Sequence, residues 1–74
     1  MKVESIYRVI GARIATVRKV LALTQADLAG RAGISRPSLA NIERGRQRIL
    51  LHQIVIFAKA FGSTPSALMK GVWR

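Results

Sequence analysis

The stretch 23-LTQADLAGRAGISRPSLANIERGR-46 decides the fold of this 74-residue chain. Thr24, with Asp27 three residues later, predicts a capped helix start, because each side chain can accept a backbone N–H that the first turn leaves unpaired. Gly33 predicts the end of that helix, since glycine takes up the left-handed conformation at little cost. Ser35 then offers a second cap. The stretch therefore predicts two short helices joined by a tight turn.

The start of the second of these helices can be read in two ways. Ser35 is a usual N-cap residue. Pro37, however, disfavours the helical conformation for the residue before it, so that Arg36 is the alternative cap and Pro37 the first helical residue. Both readings place Leu39 and Ile42 on the inner face of this helix.

Apolar residues on both sides of the stretch repeat at the spacing of an amphipathic helix. They predict a first helix over 4–21 and a fourth over 51–61. A brief fifth helix is predicted over 65–69, because Thr64 can cap it and proline suits its first position. The inward positions are expected to be Ile6, Ile10, Ile14, Val17, Leu21, Leu28, Ala29, Ala32, Leu39, Ile42, Leu51, Ile54, Ala58 and Phe61.

These elements add up to an all-α fold with five compactly packed helices. Chain length allows one domain, residues 1–74, since 74 residues support a single modest core. We expect the core to span about 5–69, with the paired helices at 24–45 and a short tail at 70–74.

Charge is the strongest functional signal in the composition. The chain has thirteen Lys and Arg residues and only three acidic residues, which gives a formal net charge of +10. A field of this size attracts polyanions and favours a nucleic-acid partner. The lack of cysteine excludes disulfides and thiolate metal sites. Neither a secretory start nor an apolar run of the roughly 20 residues that span a bilayer is present.

The pattern L-T-Q-x-x-L-A-x-x-x-G-I-S-x-x-x-L-x-x-I-E-x-G over 23–45 is similar to the helix-turn-helix of phage repressors and Cro proteins, often called Xre-type regulators. The resemblance runs from about Ile14 to Met69. It implies a lambda-repressor-like fold and a sequence-specific DNA-binding transcriptional regulator of the repressor or controller type, in the cytoplasm of a bacterium, on the nucleoid, and encoded by the bacterium or a phage.

The resemblance places Arg36, Pro37 and Asn41 at positions that face bases in the major groove. Arg36 can bond guanine O6 and N7, or it can contact a phosphate instead. Asn41 can bond adenine N6 and N7. Ser38 can donate to a base or to a phosphate, and Pro37 either contacts a thymine methyl group or only stiffens the helix start.

Phosphate contacts are expected at the start of the second helix and in the basic loop after the third. The resemblance makes Gln25 the anchor, beside a helix end that offers unpaired N–H groups. Loop arginines follow directly on the reading helix and should flank the same groove. The expected phosphate contacts are Thr24, Gln25, Arg44, Arg46 and Arg48.

Arg18 and Glu43 are expected to form a structural ion pair. Arg18 lies at the edge of the inner stripe of the first helix, and Glu43 follows Leu39 by four residues. Either charge would be costly to bury without a partner. The family resemblance also supports a pair between the first and third helices.

Some apolar residues exceed what the core needs, and they suggest a subunit interface. A homodimer would place two reading helices about 34 Å apart on a palindromic operator. Alternatively, several of these residues simply enlarge the core. The candidate interface residues are Ile49, Leu50, Val55, Ile56 and Trp73.

Other functions remain open at this stage. An antitoxin that represses its own operon and also binds a toxin could share this domain. The charge and the apolar segment 50–61 also allow a cationic membrane-surface peptide, and a non-specific RNA binder is a further alternative. We expect no enzyme activity, no cofactor and no metal site, because His52 has no second ligand nearby and no nucleophile-base or carboxylate pair is evident.

Overall fold

In the computed structural model, residues 2–72 are described, and they form five α-helices in sequence. The sequence-based prediction of an all-α, five-helix fold is confirmed. Each helix starts and ends within about two residues of its expected bounds. The helices are α1 (Val3–Val20), α2 (Gln25–Ala32), α3 (Arg36–Glu43), α4 (Leu51–Ala60) and α5 (Pro65–Met69).

The caps of α2 and α3 have the chemistry that the sequence indicates. The Thr24 hydroxyl accepts the Asp27 N–H at 3.0 Å, and the Asp27 carboxylate accepts the Thr24 N–H at 3.1 Å. Ser35 caps α3 by accepting the Ser38 N–H at 3.1 Å. The alternative start at Arg36 is wrong, because a serine oxygen can satisfy an unpaired amide of the first turn and a guanidinium, which only donates, cannot.

The core lies between all five helices: α1 packs against α3 and α5, α2 packs against α3 and α4, and α4 packs against α5. Its largest fully buried side chains are one phenylalanine and five branched aliphatic residues. Burial of each such side chain contributes roughly 1.5 to 3 kcal/mol. The buried core comprises Ile10, Ile14, Leu28, Ala29, Ala32, Leu39, Ile42, Ile49, Ile54, Phe57, Ala58, Leu68 and Val72.

Two leucines predicted to face inward are exposed. Leu21 is 46% exposed because α1 ends at Val20, and the helical spacing no longer applies beyond that point. Leu51 is 76% exposed as the first residue of α4. Helical side chains lean toward the N-terminus, so that a first residue extends past the core. Phe57, which was absent from the predicted stripe, is fully buried instead.

Glycines let α1 and α3 approach each other at backbone distance. A Cβ on Gly11 would overlap the carbonyl oxygen of Ile42. Gly45 has φ +72, and a Cβ there would lie 2.8 Å from the Cα of Arg8. The sequence motif ends at Gly45, whereas Gly11 has no role in the sequence-based prediction. These contacts fix the distance between α3 and the scaffold.

The end of the described chain packs onto α1. Arg13 donates to the carbonyl oxygen of Leu68 at 3.1 Å and so pairs an acceptor at the end of α5. Val72 is buried at 2% exposure. Trp73 lies outside the described residues. Within 2–72, none of the helices combines the length and the apolar character needed to cross a bilayer.

Candidate nucleic-acid interface

The outer face of α3 presents four polar or cyclic side chains on a helix whose inner face is buried. Arg36 and Pro37 are exposed, whereas Ser38 and Asn41 are half-buried. Ser38 and Asn41 are separated by three residues and therefore share one side of the helix. The structure thus brings the four residues expected to contact bases onto one helix over little more than a turn and a half.

Arg18 and Glu43 form a nearly buried ion pair behind this face. The Arg18 Nε donates to one carboxylate oxygen of Glu43 at 2.7 Å, and an Arg18 terminal nitrogen donates to the other at 3.1 Å. Another Arg18 nitrogen donates to the carbonyl oxygen of Leu23 at 2.9 Å. The hydrogen bond with Glu43 raises the pKa of Arg18, although burial opposes this. One guanidinium thus joins α1, the turn before α2, and α3.

Gln25 extends this arrangement to the outer face. Its side-chain nitrogen donates to Glu43 at 3.0 Å, and its side-chain oxygen accepts from Arg36 at 3.3 Å. A continuous series of hydrogen bonds therefore links the buried Arg18 to the exposed Arg36. The sequence indicated Gln25 as a phosphate contact and did not indicate its bonds to α3, since residues 11 and 18 positions away come together only in the folded chain.

Ser38 receives a hydrogen bond from the loop that follows α3. The Gln47 side-chain nitrogen donates to the Ser38 hydroxyl oxygen at 2.6 Å. Both residues are half-buried. No pattern in the sequence singled out Gln47, because it lies between two arginines that carry the charge signal. The structure adds it to the candidate interface.

The loop arginines occupy two different places. Arg44 and Arg46 are exposed beside the C-terminal end of α3. Arg48 is exposed too, but its guanidinium carbon lies 5.7 Å from the centroid of the Tyr7 ring on α1, within cation–π distance. The Arg48 side chain therefore lies against α1, whereas Arg44 and Arg46 lie at the end of α3.

The N-terminal end of α2 is exposed at Thr24, and it lies on the side of α3 opposite the loop arginines Arg44 and Arg46 along the chain. Thr24 is exposed, and its hydroxyl oxygen accepts from the Asp27 N–H. The Thr24 N–H, followed by the Thr24 hydroxyl, lowers the pKa of the Asp27 carboxyl. Asp27 is thus a capping anion at the positive end of α2.

The residues expected at a dimer interface divide into two groups. Ile49 is only 6% exposed and belongs to the core, and Ile56 packs against the core, so that assigning these two to an exposed patch was wrong. Helical spacing could not place Ile49, because Ile49 lies in the loop between α3 and α4. Leu50 and Val55 are 55% and 37% exposed. Trp73 is outside the described residues.

An apolar groove of about 340 Å³ adjoins the exposed leucines. It lies between the N-terminal half of α1, the start of α4 and the end of α5. Leu51 and Val3 at its edge are 76% and 48% exposed. Across residues 2–72, no cluster of three or more His, Asp or Glu side chains has metal-binding geometry. His52 is exposed.

A helix-turn-helix family model matches residues 14–68, and the chain belongs to this family, in its Xre-type branch. The match includes α2, α3, the loop arginines and both residues of the buried ion pair. The fold and the family match together identify the chain as a helix-turn-helix domain of the class found in DNA-binding regulators.

Particular relatives are consistent with this class. The chain is 42% identical over 60 residues to an immunity repressor protein of Bacillus phage phi105. That match covers 81% of this chain and 42% of the repressor, so the chain spans less than half of the length of that relative.

Solved structures share the fold closely. The restriction-modification controller protein C.AhdI from Aeromonas hydrophila has a TM-score of 0.81 at 28% identity, covering 86% of this chain and 97% of its own. The clp gene regulator ClgR from Corynebacterium glutamicum has a TM-score of 0.86 at 20% identity, covering 92% of this chain and 72% of its own. At that identity, ClgR supports the fold alone.

Proposed function

We propose that this chain represses or controls transcription by reading an operator through the outer face of α3, as a homodimer on a palindromic site. The observation that carries the proposal is the contrast across α3. Its inner side is held by backbone contact and a buried ion pair, whereas its outer side presents Arg36, Pro37, Ser38 and Asn41. A rigidly held helix of this kind suits the major groove, where each base pair has its own donor and acceptor pattern.

Base contacts follow from the side chains on that face. Asn41 suits the N6 and N7 edge of adenine. Arg36 suits guanine O6 and N7, and the Gln25 oxygen that accepts from it at 3.3 Å favours one direction of its guanidinium. Pro37, exposed at the helix start, has an apolar ring that suits a thymine methyl group.

Phosphate contacts would come from the two edges of α3. At one edge the exposed Thr24 adjoins the first N–H groups of α2, with Gln25 as the first residue of that helix. At the other edge, Arg44 and Arg46 are exposed. Arg48 would contact a phosphate from beside Tyr7, since its guanidinium carbon lies 5.7 Å from the centroid of that ring. Contacts of this type set the register without reading sequence.

Selection from a randomised duplex DNA library tests the proposal. We expect one enriched motif with two-fold symmetry. Affinity for it should fall with salt at a log-log slope near −0.9 per phosphate neutralised. Binding without any enriched motif would contradict sequence-specific reading. A motif without two-fold symmetry would contradict the palindromic operator.

We propose Leu50, Leu51 and Val55 as the dimer surface. All three are exposed, and Leu51 and Val55 are four residues apart on one side of α4. Exposed apolar side chains that adjoin an apolar groove are typical of a contact with another subunit. Ile49, by contrast, is committed to the core.

Sedimentation at micromolar concentration tests this surface. We expect the wild-type chain to be a dimer and Leu51→Gln to shift it toward monomer. Val20→Gln is the matched control, because Val20 is 78% exposed on α1, away from the proposed surface. A wild-type chain that is monomeric both alone and on DNA would contradict the dimer, and would leave the surface to a different protein such as a toxin.

A further inference from the structure

The hydrogen bond between Gln47 and Ser38 has a direction, and the direction determines what Ser38 can offer to DNA. A serine hydroxyl has one proton to donate and two lone pairs to accept with. The Gln47 nitrogen donates to the Ser38 oxygen at 2.6 Å, so one lone pair is used. Within residues 2–72 the Ser38 hydroxyl has no other hydrogen-bond partner, and its proton remains available.

We propose that Gln47 is a specificity-determining residue that makes Ser38 a hydrogen-bond donor toward the major groove. Gln47 does so from the loop after α3, without itself contacting a base. The inference rests on the proposed function, since it specifies how one side chain of the α3 outer face would read an operator.

The position of the pair supports this role. Ser38 lies on α3 between the exposed start of the helix and Asn41, on the same side as Asn41. The backbone N–H of Ser38 is already bonded to the Ser35 hydroxyl, so the side chain is the only hydrogen-bonding group that Ser38 can direct outward. Gln47 is half-buried between the exposed Arg46 and Arg48, which restricts its motion.

A donating hydroxyl favours a particular set of bases. Guanine offers O6 and N7, and thymine offers O4, with no hydrogen-bond donor beside them in the major groove, whereas adenine places the N6 amino donor beside its N7 acceptor. Cytosine offers only the N4 amino group, which is a donor. Ser38 should therefore select guanine or thymine, and reject cytosine, at one operator position on the strand that it faces. One hydrogen bond supports a ratio of about two- to tenfold.

Substituting Gln47 reverses or removes this preference. In Gln47→Glu, the carboxylate can only accept, so the Ser38 hydroxyl would donate its hydrogen bond to residue 47 and direct its lone pairs toward the DNA. The same operator position should then favour cytosine or adenine, whose amino groups donate. In Gln47→Met, nothing fixes the direction of the hydroxyl. The preference should then become flat, because Ser38 can serve either role.

The experiment is selection of a randomised duplex DNA library by the full chain, followed by sequencing of the bound fragments. Wild type, Gln47→Glu, Gln47→Met and Ser38→Ala are compared, with thermal unfolding of each to establish that it folds. Gln53→Glu is the matched control for the added negative charge. Its carboxylate can still accept the Leu50 N–H, which Gln53 now accepts at 2.8 Å.

We expect one motif position to favour guanine or thymine in wild type, to invert in Gln47→Glu, to flatten in Gln47→Met and Ser38→Ala, and to stay unchanged in Gln53→Glu. A wild-type motif that Gln47→Glu and Gln47→Met both leave unchanged would overturn the role of Gln47 and leave the proposed function intact. If wild type enriches no motif at all, the proposed function fails together with this inference.

Discussion

The two faces of α3 differ in what holds their side chains. Leu39 and Ile42 on the inner face are almost completely buried, and the backbone of Ile42 lies against Gly11 of α1. On the outer face Arg36 is exposed and Asn41 is half-buried, and the bond between Arg36 and Gln25 is long at 3.3 Å. The helix is therefore fixed as a body by its inner face, while its outer side chains are held more loosely.

This difference separates folding from reading. Substitutions on the inner face should change stability, because they alter close packing or leave a buried charge unpaired. Substitutions on the outer face should change DNA recognition with little effect on the fold. Glu43 is the residue that touches both, since it pairs with Arg18 inside and accepts from Gln25 toward the outside.

Gly11→Ala should have the largest effect on stability. Its Cβ would overlap the Ile42 carbonyl, and two helix backbones would have to separate. We expect the free energy of unfolding to fall by about 3 kcal/mol, the upper range for overpacking. Urea denaturation followed by circular dichroism measures it.

Gly30→Ala is the control for Gly11→Ala. Gly30 is exposed within α2 and has open space around its Cα. Alanine should raise the free energy of unfolding there by up to about 1 kcal/mol. Equal effects of the two substitutions would contradict the close approach of α1 and α3.

Glu43→Gln should have the next largest effect. The neutral amide cannot pair with the Arg18 charge, which is nearly buried with an 11% exposed side chain. We expect a loss of about 2 kcal/mol in the free energy of unfolding, below the full cost of an uncompensated buried charge because the amide oxygen still accepts one hydrogen bond.

A double-mutant cycle with Arg18→Met isolates this pair. The loss from both substitutions together should be smaller than the sum of the single losses, since neither charge is then left without its partner. A loss below about 0.5 kcal/mol for Glu43→Gln would show that the bridge does not hold α3 in place.

Asn41→Ala and Arg46→Ala should separate base reading from phosphate binding. Asn41→Ala should relax the preference at one operator position by roughly 1 to 3 kcal/mol. Arg46→Ala should weaken specific and random DNA alike and reduce the salt slope by about one phosphate contact. Fluorescence anisotropy with both kinds of duplex measures the difference. The same loss on both duplexes for both variants would contradict the division of roles.

Thr24→Ala should have a smaller effect on stability. It removes the hydroxyl that accepts the Asp27 N–H, and loss of such a cap costs about 1 kcal/mol. Ser35→Ala is the matched change at α3. Thermal unfolding of both should show similar decreases. No decrease in either would indicate that water replaces the caps without cost.

The pH dependence of the α2 cap should give the smallest effect. The folded chain lowers the pKa of the Asp27 carboxyl, mainly through the Thr24 N–H. Its contribution is therefore present above the ordinary aspartate pKa and is lost as the pH falls through the lowered value. Asp27→Asn should flatten the stability profile in the acidic range. An unchanged profile would show that Asp27 does not couple folding to protonation.

The helix starts and stops were predictable because their causes are local. Thr24 with Asp27, Ser35, and Thr64 before Pro65 are all read within a turn of the helix they begin. The positions of the four candidate reading residues followed once α3 was located. The ion pair was also expected, from the placement of Arg18 at the edge of a stripe and from the family resemblance.

Contacts between distant residues were not predictable in the same way. The close contact at Gly11 could not be predicted, since nothing in the local sequence shows whether another backbone lies against a glycine inside a helix. The contacts of Gln25 and Gln47 could not be predicted either, because each bonds to a residue that is near only after folding. Leu21 and Leu51 were misplaced because periodicity does not hold at a helix end.

The sequence by itself therefore determined the five helices, their family and the face of α3 that carries Arg36 and Asn41. Local backbone chemistry and helical periodicity suffice for these, since they act within a few residues. Tertiary structure alone decided how closely α3 approaches α1, which apolar residues remain exposed on α4, and which side chains orient Arg36 and Ser38. Those features depend on distances between segments far apart in the chain, and these distances are set only when the core packs.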